Sequence, residues 1–310
     1  PDPGRSLFYW PAFGDRPDNS FLFGRTCPPG GPGFFRCPRL NPAFDSVIQR
    51  SGGADSYYHG LQLQLNKRFS QGFQVQGSYT WSHSIDNSSK QIRGPGESNQ
   101  SASTKNWRNM DGERGHSNFD VKHNFTMNYT IDLPGNTLTG AAGAVLGGWQ
   151  TGGIITLASG VPETIQLGFD VCRCINGEIY GVGTTDNQPD LVGDNNPIVG
   201  DGREPTNYFD ASTSNFVIGP DGFHGNLGRN TLRIPGLATF DFSLIKNTAL
   251  TERTDLQFRF EAFNIMNRAN FGDPATTLYT GGRSPRGNAG RITKTHSTSR
   301  QLQFALKIIF

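Results

Sequence analysis

The side chains that most often carry chemistry are histidine, cysteine and the carboxylates, and this chain of 310 residues has six histidines, four cysteines and 26 acidic residues. Histidine and thiolate would suit zinc, and a histidine beside a carboxylate would suit acid–base catalysis. The spacings support neither. The histidines are scattered, and His123 falls on the apolar side of an alternating run, where an interfacial side chain fits better than a ligand. Cys27 and Cys37 flank the turn-rich residues Pro28, Pro29, Gly30, Gly31, Pro32 and Gly33, and Cys172 and Cys174 are one residue apart. Zinc motifs usually space paired cysteines by about two to four residues, so disulfides or free thiols in exposed loops fit better. Several full pairings are open. We expect Cys27 with Cys37, because the turn-rich stretch lets its ends approach and closure would stabilise the loop by about 2–3 kcal/mol.

Other candidates weaken in the same way. Asp186, Asp190, Asp194, Asn195, Asn196 and Asp201 form an acidic loop, but Ile198 stands where a calcium loop of the EF-hand type needs an oxygen ligand, so a solvated loop is expected. Gly140, Gly143, Gly147 and Gly148 lie in a turn and make a poor phosphate cradle. No Walker-type loop, G-x-S-x-G elbow or H-E-x-x-H motif occurs. Arg259 and Glu261 share a strand face with Asp255 and Gln257, which suits a wall that contacts a ligand or routine ion pairing in a wet interior. The expectation is a chain that is not an enzyme, with no catalytic residue, cofactor or metal.

The elements that would carry these residues are strands. From Phe119 the apolar set is Phe119, Val121, His123, Phe125, Met127, Tyr129, Ile131 and Leu133, interleaved with Asp120, Lys122, Asn124, Thr126, Asn128, Thr130 and Asp132. Period-two alternation of this kind marks a strand with one apolar and one polar face. The same pattern runs over 57–69, 73–85, 149–157, 238–244, 256–262 and 301–310, which makes seven strands. Only the stretch Ala141 to Leu146 could coil, for one turn or two.

The links between strands alternate. Ser70-Gln71-Gly72 and Ala249 to Thr254 are short and Pro134 to Gly147 is moderate, whereas Asp86 to Asn118, Ser159 to Gly236 and Met266 to Ser299 are long and polar. Up-and-down barrels of bacterial outer membranes show this asymmetry, with short periplasmic turns and long extracellular loops. Strand length agrees. Soluble strands average about 5–6 residues, and Phe73 to Ile85 runs for about 13, enough to cross a membrane at a tilt. Mean hydropathy is only −0.49, but a barrel strand shows lipid only every second residue. No run reaches the roughly 18 apolar residues of a membrane helix. A net charge of +2 offers no field for nucleic acid.

The expected fold is therefore all-β: the C-terminal strands of a transmembrane antiparallel up-and-down β-barrel, with residues 57–310 as barrel and 1–56 as an irregular Pro/Gly-rich extracellular segment. Seven is an odd number and open edges cannot face lipid, so the chain is expected to be a fragment with strands missing upstream. Gln64, Gln76, Asn124, Asn128, Arg259, Glu261 and Gln303 are expected to face the lumen. Leu63, Val75, Phe125, Met127, Phe258 and Phe304 are expected to face outer-membrane lipid.

The closing segment Arg300-Gln-Leu-Gln-Phe-Ala-Leu-Lys-Ile-Ile-Phe310 resembles the C-terminal signal of outer-membrane barrels, in which a terminal aromatic follows apolar residues at every second position. The resemblance implies that Leu302, Phe304, Leu306, Ile308 and Phe310 are read by the barrel-assembly machinery. Tyr58-His-Gly-Leu-Gln-Leu-Gln-Leu-Asn-Lys-Arg-Phe69, Gly77-Ser-Tyr-Thr-Trp-Ser82, Gly148-Trp-Gln, Ser159-Gly-Val-Pro162, Gly225-Asn-Leu-Gly-Arg-Asn230, Phe240-Asp-Phe-Ser243 and Phe258-Arg-Phe-Glu-Ala-Phe-Asn264 resemble TonB-dependent receptors of the Oar-like type. That resemblance implies a barrel of about 22 strands, an N-terminal plug and a TonB-contacting segment, both outside this sequence. It also implies import of a small-molecule or oligomeric substrate across the outer membrane of a Gram-negative bacterium. A barrel that only anchors loops for binding or adhesion is the alternative.

Overall fold

The computed structural model describes residues 53–89, 111–135, 138–169, 171, 187–192, 204–220 and 225–310, together with the backbone of Ser20–Phe21 and Arg25–Thr26. Among the described residues seven long strands form: β1 Ser56–Ser70, β2 Phe73–Asp86, β3 His123–Asp132, β4 Trp149–Ala158, β5 Leu237–Thr251, β6 Thr254–Phe263 and β7 Gln301–Ile309. Each pairs antiparallel with its chain neighbour, so the sheet runs from β1 to β7 in order and remains open at both edges among the described residues. No described helix is long and apolar enough to cross a membrane.

The turns explain the tight end of the sheet. Gln71 and Gly72 both have positive φ, 54° and 80°, between the paired residues Ser70 and Phe73. Two left-handed residues match the twist of a two-residue hairpin, and glycine adopts that conformation without a Cβ penalty. Glu252 and Arg253 close the hairpin between Thr251 and Thr254. The moderate link carries helix α1, Gly140–Leu146, as short as expected; Gly140 and Gly143 thus belong to a helix, not to a turn. Lys246 donates to the carbonyls of Ala144, Val145 and Gly147 at the C-terminal end of α1, at 2.8–3.1 Å, where a cation is favoured.

Register sorts the side chains onto two faces, because directly opposed residues point the same way. The ladder Leu65–Gly77–Met127–Ile155–Phe240 and the ladder Leu244–Phe260–Phe304 lie on one face. Phe260 meets Phe304 with ring centroids 5.1 Å apart. This face is largely uncovered: Phe304 and Leu306 are each 67 % exposed. The opposite face is mostly polar, with Gln64–Ser78–Thr126–Thr156–Thr239 in register across five strands.

Some strand boundaries differ from expectation. The run from Phe119 does not pair until His123, because Phe119 sits in a turn closed by the Asp120 N–H to the Ser117 carbonyl at 2.9 Å. At the other end, Phe310 stands one residue past the ladder, beyond Ile309.

Among the described residues the main cluster of buried apolar side chains lies outside the sheet. Ile165, Leu167, Phe209, Phe216 and Leu232 from the β4–β5 link pack with Leu278 and Tyr279 from the β6–β7 link, most of them nearly inaccessible. The Tyr279 hydroxyl donates to the Phe216 carbonyl at 2.8 Å. The described parts of the long links thus form a packed layer over the end of the sheet that they share.

Candidate functional site

The loop layer joins the sheet through a cluster of polar and charged side chains. Asp86 ends β2 and is almost fully buried, and the Arg229 guanidinium pairs with its carboxylate and also donates to its carbonyl at 2.6 Å. Arg229 donates further to Ser89 Oγ at 2.9 Å and to the Glu113 carbonyl at 3.2 Å. The adjacent Asn230 has φ 57°; its amide donates to the His116 carbonyl at 2.6 Å and contacts Asn118 Oδ1. Its Oδ1 accepts from Thr164 at 2.9 Å. Three residues on, Arg233 pairs with Asp120 and donates to the carbonyls of Asp120 and Gly160 at 3.0 and 3.1 Å. One short segment thereby ties together the end of β2, the 111–120 loop and the exit of β4.

Asp120 is the centre of this arrangement. Its Oδ1 accepts the Ser84 backbone N–H at 2.7 Å, a donor left free because β3 starts only at His123. Its Oδ2 lies 3.3 Å from His83 Nδ1 and 3.5 Å from His116 Nδ1. The two rings meet edge to face with centroids 5.0 Å apart. His83 is positioned by β2, opposite His59, and His116 by the short strand Gly115–His116, which pairs with Ile85 and Asp86. Burial works to raise the Asp120 carboxyl, but the Ser84 N–H and the Arg233 bond and charge outweigh it and hold the group below its ordinary value. Burial first, then the Arg233 charge, push His116 below its ordinary value, against the pull of Asp120. Two imidazoles and one carboxylate are donors suited to a transition metal.

Sequence reasoning missed this cluster. The histidines looked scattered, yet His83, His116 and Asp120 converge with their ligand atoms within 4.8 Å, and Asp120 was assigned to a strand face. A signal was present in Gly225-Asn-Leu-Gly-Arg-Asn230, which supplies Arg229 and Asn230. The acidic loop is also corrected in part. Asp190 is not solvated but buried, and its Oδ1 accepts the Asn226 N–H at 2.8 Å; Asp186, Asp194, Asn195, Asn196 and Asp201 lie outside the described residues.

The other expected site residues fall as follows. Gln64, Gln76, Asn124, Asn128, Arg259, Glu261 and Gln303 share the polar face, spread from β1 to β7. Arg259 and Glu261 approach to 3.5 Å, and Arg259 donates to Gln257 at 3.4 Å. Leu302, Phe304, Leu306 and Ile308 occupy the apolar face, opposite Ala262, Phe260, Phe258 and Leu256. Cys27 and Cys37 lie outside the described residues, as do Cys172 and Cys174.

No curated protein matches the chain. The sequence model of one protein family, described as an outer membrane beta barrel domain, matches residues 25–303. With that match spanning most of the sequence, and with an antiparallel meander apolar on one face and polar on the other, the chain belongs to the outer membrane beta barrel domain family and resides in a bacterial outer membrane.

Proposed function

We propose that this chain is the C-terminal barrel part of a TonB-dependent receptor of the Oar-like type, which captures a substrate at its outer loops and imports it. The observation that carries this reading is the packed loop layer that the described link residues form. Its own apolar core and the Arg229 and Arg233 pairs hold it over one end of the sheet, and a preorganised surface captures a ligand at lower entropic cost than free loops would. The polar face beneath, with Arg259 and Glu261, then lines the path inward, where plug and substrate would touch it. The apolar face meets lipid. From Phe73 to His83 it rises about 33 Å along the strand, or about 25 Å at a tilt near 40°, the height of an outer-membrane apolar band. Lys67 and Lys246 stand at its turn end, with their ammonium groups on backbone carbonyls, as cations do at a membrane boundary. Leu302, Phe304, Leu306, Ile308 and Phe310 serve the assembly machinery. Plug and TonB act through other parts of the parent, and no residue here acts as a catalyst.

The test is accumulation of isotope-labelled culture solutes in the periplasm of cells with the receptor, compared with cells lacking TonB and cells lacking the receptor. Import predicts accumulation only when both are present. Equal accumulation in all three would reject it. Surface binding that persists without TonB, with no accumulation in any strain, would favour a barrel that anchors loops for binding or adhesion, a role the ordered loop layer would also serve.

A further inference from the structure

We propose that His83, His116 and Asp120 form a binding site for a divalent transition metal of the zinc class, at the loop end of β2. Two imidazole nitrogens and one carboxylate oxygen converge there within 4.8 Å of one another. The carboxylate oxygen is 3.3 Å from one nitrogen and 3.5 Å from the other. Two ligands on a tetrahedral zinc, each about 2.0–2.1 Å from the ion, are about 3.3–3.4 Å apart. Both oxygen–nitrogen spacings are those of ligands that share an ion.

A second observation points to a ligand. Both Nδ1 atoms are buried, and neither has a hydrogen-bond partner, although Asp120 Oδ2 stands within ordinary reach. The oxygen therefore lies off the axis of each ring nitrogen. A hydrogen on either nitrogen would miss it, whereas an ion held between the three atoms would satisfy both nitrogens at once. Buried polar atoms are rarely left unmatched, because each costs its full desolvation.

The surroundings hold the donors in place. Ser84 N–H fixes Oδ1, and Arg233 bonds Oδ2, the oxygen that faces both rings, so the carboxylate is held by outer partners as ligating groups are and Oδ2 keeps one further lone pair for an ion. Each histidine side chain keeps 40 % of its surface exposed, so a remaining coordination position can be filled by water. Two nitrogens and one oxygen select zinc, copper or nickel over magnesium or calcium. The Arg233 charge opposes the ion, so binding is weaker than in a closed structural zinc site.

The experiment uses the full chain, folded in detergent, stripped with a chelator and carrying serine at its four cysteine positions to remove thiol ligands. Titration with Zn²⁺ should show one equivalent bound per chain, and Co²⁺ should develop visible absorption bands. His83→Gln and His116→Gln should each weaken Zn²⁺ binding by more than about tenfold and abolish the Co²⁺ bands. His296→Gln, which alters a separate His–Asp pair, should change neither. His83→Cys restores a zinc ligand and should recover binding that His83→Gln loses, a split that a purely structural ring would not produce. Heat-modifiable mobility on gels verifies that each variant folds. Failure of the parent chain to bind Zn²⁺ at millimolar concentration would overturn the proposal, as would unchanged affinity in both glutamine variants.

Discussion

At the scale of single residues, Arg229 carries the most consequence. It is the partner of an almost fully buried carboxylate, and it reaches Ser89 and the Glu113 carbonyl with its other nitrogens. Removing one member of a buried pair costs about 3–5 kcal/mol, because the remaining charge is stranded. Arg229→Met should therefore loosen the loop layer, read as faster proteolysis within residues 204–236 of the folded barrel, while the barrel keeps its gel mobility. Adding Asp86→Leu should restore much of the protection; a double variant as sensitive as Arg229→Met alone would argue against this account. In the sequence only the Gly225–Asn230 motif pointed to this, and not to its partners. Asp120 and His83 sat in strands with the right alternation, and Asp86 and His116 sat in a long polar link. Only the ladder between Ile85 and His116 brings them together, and a contact across a loop leaves no periodic trace.

At the scale of elements, the sequence was far more legible. All seven strands form where period-two alternation placed them, since a one-residue slip would carry a whole strand's side chains to the wrong face. The exceptions have local causes. β3 starts late because Asp120 turns its side chain to Ser84, and β5 runs on to Thr251, past the expected Leu244, because Ile245 to Thr251 still pair with β6 and β4. The two faces make a direct prediction. Single cysteines placed at Leu63, Val75, Phe125, Met127, Phe258 or Phe304, in a chain otherwise free of cysteine, should react with a lipid-soluble probe. Cysteines at Gln64, Gln76, Asn124, Asn128, Arg259 or Gln303 should react with a water-soluble one. Preferential lipid labelling of the second set would invert the assignment.

At the scale of the whole molecule, the loop layer was the least legible part. Its core joins Ile165, Phe216 and Tyr279, residues far apart in sequence and set among Gly, Pro and Asn, so no window of the sequence shows a hydrophobic period. Assembly also belongs to this scale. Phe310 stands just past β7 and is 99 % exposed, so it contributes almost nothing to packing within the described residues. Deleting it should lower the amount of folded protein in the outer-membrane fraction while leaving the stability of assembled barrels nearly unchanged. Lys307→Gln, on the polar face of the same strand, is the control. Equal protein levels in the two variants would refute a role for Phe310 in recognition by the assembly machinery.

The separate core of the loop layer has a thermodynamic consequence. The sheet presents an apolar face to lipid, whereas the loop layer buries Phe209, Phe216, Ile165 and Leu232 away from water as a soluble domain does. Water leaves one of these surfaces on folding, and detergent or lipid covers the other. Only the loop layer should unfold with the large positive heat-capacity change that accompanies exposure of apolar side chains to water. Calorimetry of the folded chain should then resolve two transitions. The lower one should carry most of the heat-capacity step and keep its midpoint when detergent chain length is varied, while the upper one should move with the detergent. A single transition that shifts as a whole would mean that the two parts melt as one cooperative unit.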